Sequence, residues 1–297
     1  LSPREFATPR HWADQVRLLD RAGVTLATIE DALSLTDRFE DANDPDPGRL
    51  HGRIDAVLLA SALAPLTHRI GLIPTVTTTH TEPFHVATGI QTLDFASRGR
   101  AGVRLVVGGS AAERANFGRR GEIDLETGFR EAGEVADALG RLWDSWEDDA
   151  IIRDAASGRF VDADRIHNID FAGEFFSITG ASIVPRSPQG RPIISVLAHQ
   201  TVPFRLAAEH ADVVFITPHD AAAATGILAE LDGAAAELRR ARERLRVLAD
   251  VIVLIEETST AAREALARLD DLAGAEFHSD ARIVAGTPAE GAEHPRA

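Results

Sequence analysis

The chain has 297 residues, 44% of them hydrophobic, enough for one α/β barrel or one large doubly wound domain. Its net charge of −15 argues against a nucleic-acid or anionic-membrane surface. No apolar run approaches the ~18 residues of a membrane helix, and the N-terminus does not read as a signal peptide. There is no Cys, which removes disulfides, thiolate nucleophiles and Cys-ligated zinc, and is compatible with a reducing cytoplasm, the expected location. All 31 basic residues are Arg, so a lysine-bearing P-loop or a Schiff base is impossible. Tyr and Met are absent too, so phenol acid–base chemistry is excluded and the sequence is expected either to begin after the true start or to lack some residues.

In chain order, His11–Gly23 is predicted as a helix with Trp12, Val16, Leu19 and Ala22 on one face and Gly23 as its stop. Val24–Ile29 follows as a strand ending in Glu30 and Asp31, carboxylates that serve either a site or a helix cap. An acidic, Pro- and Gly-rich loop, Asp41–Gly52, precedes a helix at Ile54–Leu63. The stretch His68–Gly109 then reads strand, helix, strand. Ile70–Val76 ends in Thr77–His80, a helix covers Pro83–Ala96, and Val103–Val107 is closed by Gly108 and Gly109. This is a βαβ unit, and α/β proteins place their chemistry where such strands end.

After a polar loop, Ser110–Glu122, a long helix is predicted from Leu125 to Asp149, with Phe129, Ala132, Val135, Leu139, Leu142 and Trp146 as its buried stripe. Trp143 and Trp146, three positions apart, read as core packing rather than as a platform for a flat ligand. Ile151–Pro192 reads as an insertion (around 151–192) with a small hairpin in Glu174–Ile178. Strands at Ile193–Leu197, Val213–Ile216 and Val247–Ile255 alternate with helices at Phe204–His210, Ala221–Arg244 and Thr260–Leu272. Alternating strand and helix implies parallel strands, six in all. A closed barrel needs eight, so one strand before Leu1 and one after Ala297 are expected to lie outside this sequence or to be replaced.

Several chemistries can be set aside. No GxGxxG follows a strand, and there is no HExxH or GxSxG. His80-Thr81-Glu82-Pro83-Phe84-His85 has the residue types of a metal site and a deaminase-like HxE. The PCxxC partner of a zinc deaminase cannot exist without Cys, so capping is preferred and no metal is expected. What remains is a ring of small or uncharged groups at strand ends: Thr77–Thr79, Gly108–Gly109, His199–Thr201 and Thr217–His219. Such groups suit a flat, neutral, hydrogen-bonding ligand; a phosphate would be held by backbone N–H groups, a helix N-terminus and an Arg.

The strings LWDSWEDDA (Leu142–Ala150), IHNIDFAGEFFSITG (Ile166–Gly180) and PRSPQGRPII (Pro185–Ile194) resemble the bacterial luciferase-like flavin monooxygenases. Within them the likeness is to the nitrilotriacetate and dibenzothiophene-sulfone monooxygenase branch. TIEDAL (Thr28–Leu33), TLDFASRGRAG (Thr92–Gly102), AAEHADVVF (Ala207–Phe215) and AGTPAE (Ala285–Glu290) match as well, in consistent order over most of the chain. The resemblance implies a single domain over 1–297, a TIM (β/α)8 barrel with an insertion. It also implies reduced FMN supplied by a partner flavin reductase, O2 and a small-molecule substrate, and a homodimer. Carried over by position, Asp31 falls at an isoalloxazine contact, Thr77 and Thr78 at flavin-contacting strand ends, Val107 and Gly108 in the second flavin strand, and Phe129 beside the phosphate. His199, Gln200 and Thr201 fall in the phosphate loop. No catalytic residue is assigned. Arg104 stands where the family has Asn, and AHQTVP replaces a glycine- and serine-containing phosphate loop. An F420-dependent oxidoreductase of the same fold, or a non-catalytic flavin-binding relative, are the alternatives.

Overall fold

Short runs of Leu, Ile and Val, each closed by a polar or glycine residue, form the strands, and helices follow most of them. The computed structural model describes residues 5–35, 52–238, 245–273 and 281–289, and the chain divides into two units, Leu1–Val196 and Leu197–Ala297. In the first, α1 (Pro9–Ala22) starts with Pro in its first turn and is capped by the Thr8 hydroxyl, which accepts from the His11 N–H. It stops at Gly23, whose φ of +80° lies in the left-handed region where a Cβ is strained. Next come β1 (Leu26–Ile29), α2 (Ala56–Leu63), β2 (Gly71–Thr77), α3 (Pro83–Ser97) and β3 (Gly102–Val106), each starting within two residues of expectation. β1 pairs with β2 and β2 with β3, both parallel. Asp20 of α1 fixes the entry to β2, its carboxylate accepting from the N–H groups of His68, Arg69 and Ile70.

The next segment differs from expectation in two places. Ser110–Glu122 is not all loop: it contains α4 (Ala111–Phe117), started by the Ser110 hydroxyl accepting from the Glu113 N–H and closed by Gly118. The following helix, α5 (Leu125–Asp144), ends before the predicted Asp149, because the Ser145 hydroxyl and N–H both donate to the Leu142 carbonyl and turn the chain. Trp143 is fully buried and its Nε1 donates to the Ala87 carbonyl, tying α5 to α3 as core. Trp146 and Phe129 are only half-buried, so the buried stripe is narrower than expected.

The insertion holds two hairpins rather than one: β4 (Ile151–Asp154) with β5 (Arg159–Val161), and β6 (Phe171–Ala172) with β7 (Ser177–Ile178). Glu174 lies in the second turn, not in a strand, since the Gly173 N–H donates to the Phe176 carbonyl. The segment is stapled to the helices by polar contacts. Ser182 donates to Gln91 of α3, Gln189 donates to Asp94, and Arg186 and Arg191 both pair with Asp144 of α5. β8 (Ile193–Leu197) then pairs parallel with β3, placing Ser195 opposite Arg104. The order β1-β2-β3-β8 makes the first unit a parallel α/β half-barrel.

In the second unit α6 (Thr201–His210) begins three residues before the predicted Phe204. It is followed by β9 (Val213–Ile216), α7 (Ala221–Glu237), β10 (Arg246–Ala249), β11 (Val251–Ile255), α8 (Ser259–Ala273) and β12 (Arg282–Gly286). The predicted strand Val247–Ile255 is divided at Asp250, whose N–H donates to the Ile216 carbonyl and ends the β9–β10 ladder. β12, absent from the six expected strands, pairs parallel with β11. Residues 41–51 of the predicted acidic loop and 239–244 of the predicted helix lie outside the described residues. No helix among those described is long and apolar enough to cross a membrane.

Candidate functional site at the strand ends

Side chains alternate across a strand, so register decides which residues share a face. Thr75 lies opposite Arg104, and Arg104 opposite Ser195, which sets these three on one face with Thr77 two residues along. Arg104 is buried on this face and its guanidinium pairs with Glu30, just past the end of β1. Thr75 Oγ1 is buried without a hydrogen-bond partner, and Thr77, also buried, makes no side-chain hydrogen bond among the described residues. The face is therefore polar and only partly satisfied.

The strand ends themselves are closely fitted. The Thr78 N–H donates to the Val106 carbonyl at 2.8 Å, and the Gly108 N–H donates to the Thr79 hydroxyl at 3.1 Å. A Cβ on Gly108 would lie 2.5 Å from Thr77 Cγ2 and 3.0 Å from Glu113 Oε2, so only glycine fits there. Val107 packs on Gly128 of α5, where a Cβ would come within 2.6 Å of it. Asp31 uses both carboxylate oxygens locally, accepting from the Ala32 and Ala56 N–H groups at 2.8 Å each. The loop it begins is joined to α4, because the Leu33 N–H donates to Glu113 and Asn116 donates to the Leu33 carbonyl. The structure thus gathers Thr77, Thr78, Val107 and Gly108 and ties the Asp31 loop to them through Glu113. Phe129, on α5, lies half-buried and makes no ring contact among the described residues.

Beside these ends opens a cleft of 240 Å³ bounded by Thr78–Pro83, Phe117, Arg119, Arg120, Glu131, Val135, Phe175 and Phe176. Arg120 Nη1 reaches both oxygens of the buried Glu131, at 2.6 and 2.8 Å, and also the Thr79 carbonyl at 2.8 Å. His80 stacks on Phe117 with ring centroids 4.7 Å apart, and its Nε2 is buried without a partner. Burial pushes the His80 imidazole below its ordinary value, against the opposing pull of Glu113, so at neutral pH it carries no charge. Sequence reading missed Phe117, Arg120 and Glu131. Glu131 had a signal, a carboxylate beside the apolar stripe of an amphipathic helix; Phe117 and Arg120 had none without knowledge of α4. Among the described residues no three His, Asp or Glu side chains are placed to hold a metal ion, the His80–His85 motif included.

In the second unit, His199 Nδ1 is 2.8 Å from the Thr217 hydroxyl. Gln200 is the N-cap of α6 but makes no side-chain capping bond. The Thr201 hydroxyl donates to Glu230 at 2.5 Å, and Arg205 lies 3.6 Å from Glu237.

Residues 2–296 match the family described as luciferase-like monooxygenase. The chain belongs to the luciferase-like monooxygenase family. Nitrilotriacetate monooxygenase component A of Aminobacter aminovorans is 32% identical over 93% of the chain and 62% of its own length. N-acetyl-S-(2-succino)cysteine monooxygenase of Bacillus subtilis is 34% identical over 82% of the chain and 55% of its own length. Dibenzothiophene-sulfone monooxygenase of Rhodococcus erythropolis is 31% identical over 90% of the chain and 60% of its own length. The chain therefore spans less than two thirds of these luciferase-like relatives. In fold, a crystal structure of long-chain alkane monooxygenase superposes with a TM-score of 0.85 at 21% identity, covering 98% of this chain and 76% of that one.

Proposed function

We propose that the protein is an FMN-dependent two-component monooxygenase that receives reduced FMN from a separate flavin reductase and uses O2 to oxygenate a small organic substrate. Membership of the luciferase-like family over residues 2–296 carries this reading, and the similar relatives named above are monooxygenases. A closed (β/α)8 barrel forming a single domain, a homodimer and a cytoplasmic location belong to the same proposal.

The flavin ring is assigned to the strand ends of the first unit. The unbonded Thr77 hydroxyl suits its carbonyl and N–H edge, and Gly108 leaves the room that the Thr77 side chain occupies at the strand end. Asp31, Thr77, Thr78, Val107 and Gly108 are the assigned ring contacts, with apolar Val107 helping to keep water away, and Phe129 is assigned beside the phosphate. His199, Gln200 and Thr201 remain the assigned phosphate residues. Their match is poorer: Thr201 already donates to Glu230, and Pro203 in the first turn of α6 supplies no N–H. That suits weak holding of a cofactor that arrives reduced and leaves oxidised. Reduced flavin, when bound, supplies the electrons that O2 needs. The chain's own part is to orient the ring and limit water.

Anaerobic titration with reduced FMN tests the placement. His199→Ala and Asp31→Ala should each weaken binding by about fivefold or more, the loss of one hydrogen bond. Affinity unchanged in both variants would refute the assigned site. Turnover supported by reduced F420 and not by reduced FMN would favour the deazaflavin reading instead.

A further inference from the structure

The cleft beside the ends of β2 and β3 has a charge pattern that specifies its occupant. Four ionised side chains bound it, Glu82, Arg119, Arg120 and Glu131, and they sum to zero, with His80 neutral. Arg120 and Glu131 neutralise one another. Charges close by are likewise engaged: Arg130 with Glu174, Glu134 with the N–H groups of Glu174 and Phe175, and Arg114 with the Gly109 carbonyl. Of the ionised lining residues, Arg119 and Glu82 make no ion pair or side-chain hydrogen bond among the described residues, so the cleft offers one cation and one anion with no partner there. The rings of Phe117, Phe175 and Phe176 line the same cleft.

We propose that this cleft binds a small zwitterion, an amino carboxylate with an apolar body. The carboxylate is taken by Arg119, the ammonium by Glu82, and the body lies against the phenyl rings. A ligand with a single charge satisfies only one of the two free groups and is repelled by the other. A volume of 240 Å³ accommodates one aromatic ring with a short polar chain. Because Thr78 and Thr79 belong both to the cleft and to the strand end, the occupant sits next to the assigned flavin ring contacts, as a substrate would. Naming it the substrate rests on the monooxygenase reading; the binding does not.

Three probes share one skeleton and separate the cases: L-phenylalanine, 3-phenylpropionate, which lacks the ammonium, and 2-phenylethylamine, which lacks the carboxylate. In calorimetric titrations of the flavin-free protein at low salt, L-phenylalanine should bind about fivefold or more tightly than either analogue. Arg119→Gln should reduce L-phenylalanine to the affinity of the amine, and Glu82→Gln to that of the acid. Both side chains are exposed, so thermal unfolding should show both variants folded. Equal affinity for the zwitterion and either analogue, no heat from L-phenylalanine, or no effect of the two variants overturns the proposal. None of these outcomes bears on flavin binding, which the reduced-FMN titration reads separately.

Discussion

At the scale of single residues, Gly108 and His80 carry the tightest constraints. Gly108→Ala would drive a methyl group to 2.5 Å from Thr77 Cγ2 in a packed strand end. The strain should cost about 1–3 kcal/mol, measured by denaturant unfolding, and should displace the Thr77 hydroxyl from its present position. His80 should make stability depend on pH. Its folded-state value lies below the ordinary 6.5, with Glu113, Arg120, Glu131 and Arg114 as the charges around it. The unfolded chain therefore takes up a proton first as pH falls. Stability is full above about 6.5 and declines as pH drops toward the folded value. His80→Gln should flatten the fall in melting temperature below pH 6.5 relative to the parent; an unchanged slope would show that His80 is not the group. Asp31→Ala carries a second effect, because its carboxylate also accepts the Ala56 N–H at the start of α2. About 1 kcal/mol of stability should be lost along with flavin affinity. His199→Ala, an exposed residue, lacks that complication.

At the scale of elements, α5 is held from two sides. Trp143→Ala should cost about 3–5 kcal/mol, since the ring is fully buried between α5 and α3. Glu131→Gln should cost about 1–3 kcal/mol, because Arg120 would lose its carboxylate and the Thr79 loop its anchor. These elements also show what the sequence could convey. The βαβ stretch from Ile70 to Val107 and its polar ends were legible because apolar periodicity and terminal Thr and Gly residues mark both strands. Tryptophans three apart on a helix read correctly as packing for Trp143. The helix α4 was hidden, since Ala111–Phe117 is short and mostly polar and is started by a single serine cap. The break at Asp250 was hidden for another reason: an apolar run on both sides gives one periodic signal, whereas the backbone pairing changes partner there. Strand β12 was missed because only Ile283, Val284 and Ala285 supply an apolar run. In the candidate site, the strand-end threonines could be picked out, but the Arg120–Glu131 clamp joins residues that only the fold brings together.

At the scale of the whole molecule, the chain is a luciferase-like α/β protein with net charge −15, with strands parallel in both units outside the insertion. The proposed reaction is oxygen transfer driven by reduced FMN. The most direct measurement supplies the protein with a flavin reductase, NADH, FMN and isotopically labelled 18O2. Small organic compounds, amino carboxylates among them, are then screened by mass spectrometry. The product should gain one 18O atom and form only when reductase, FMN and protein are all present. Release of all the consumed oxygen as hydrogen peroxide with every compound, or an oxidised product that forms without O2 from reduced F420, would contradict the proposed reaction.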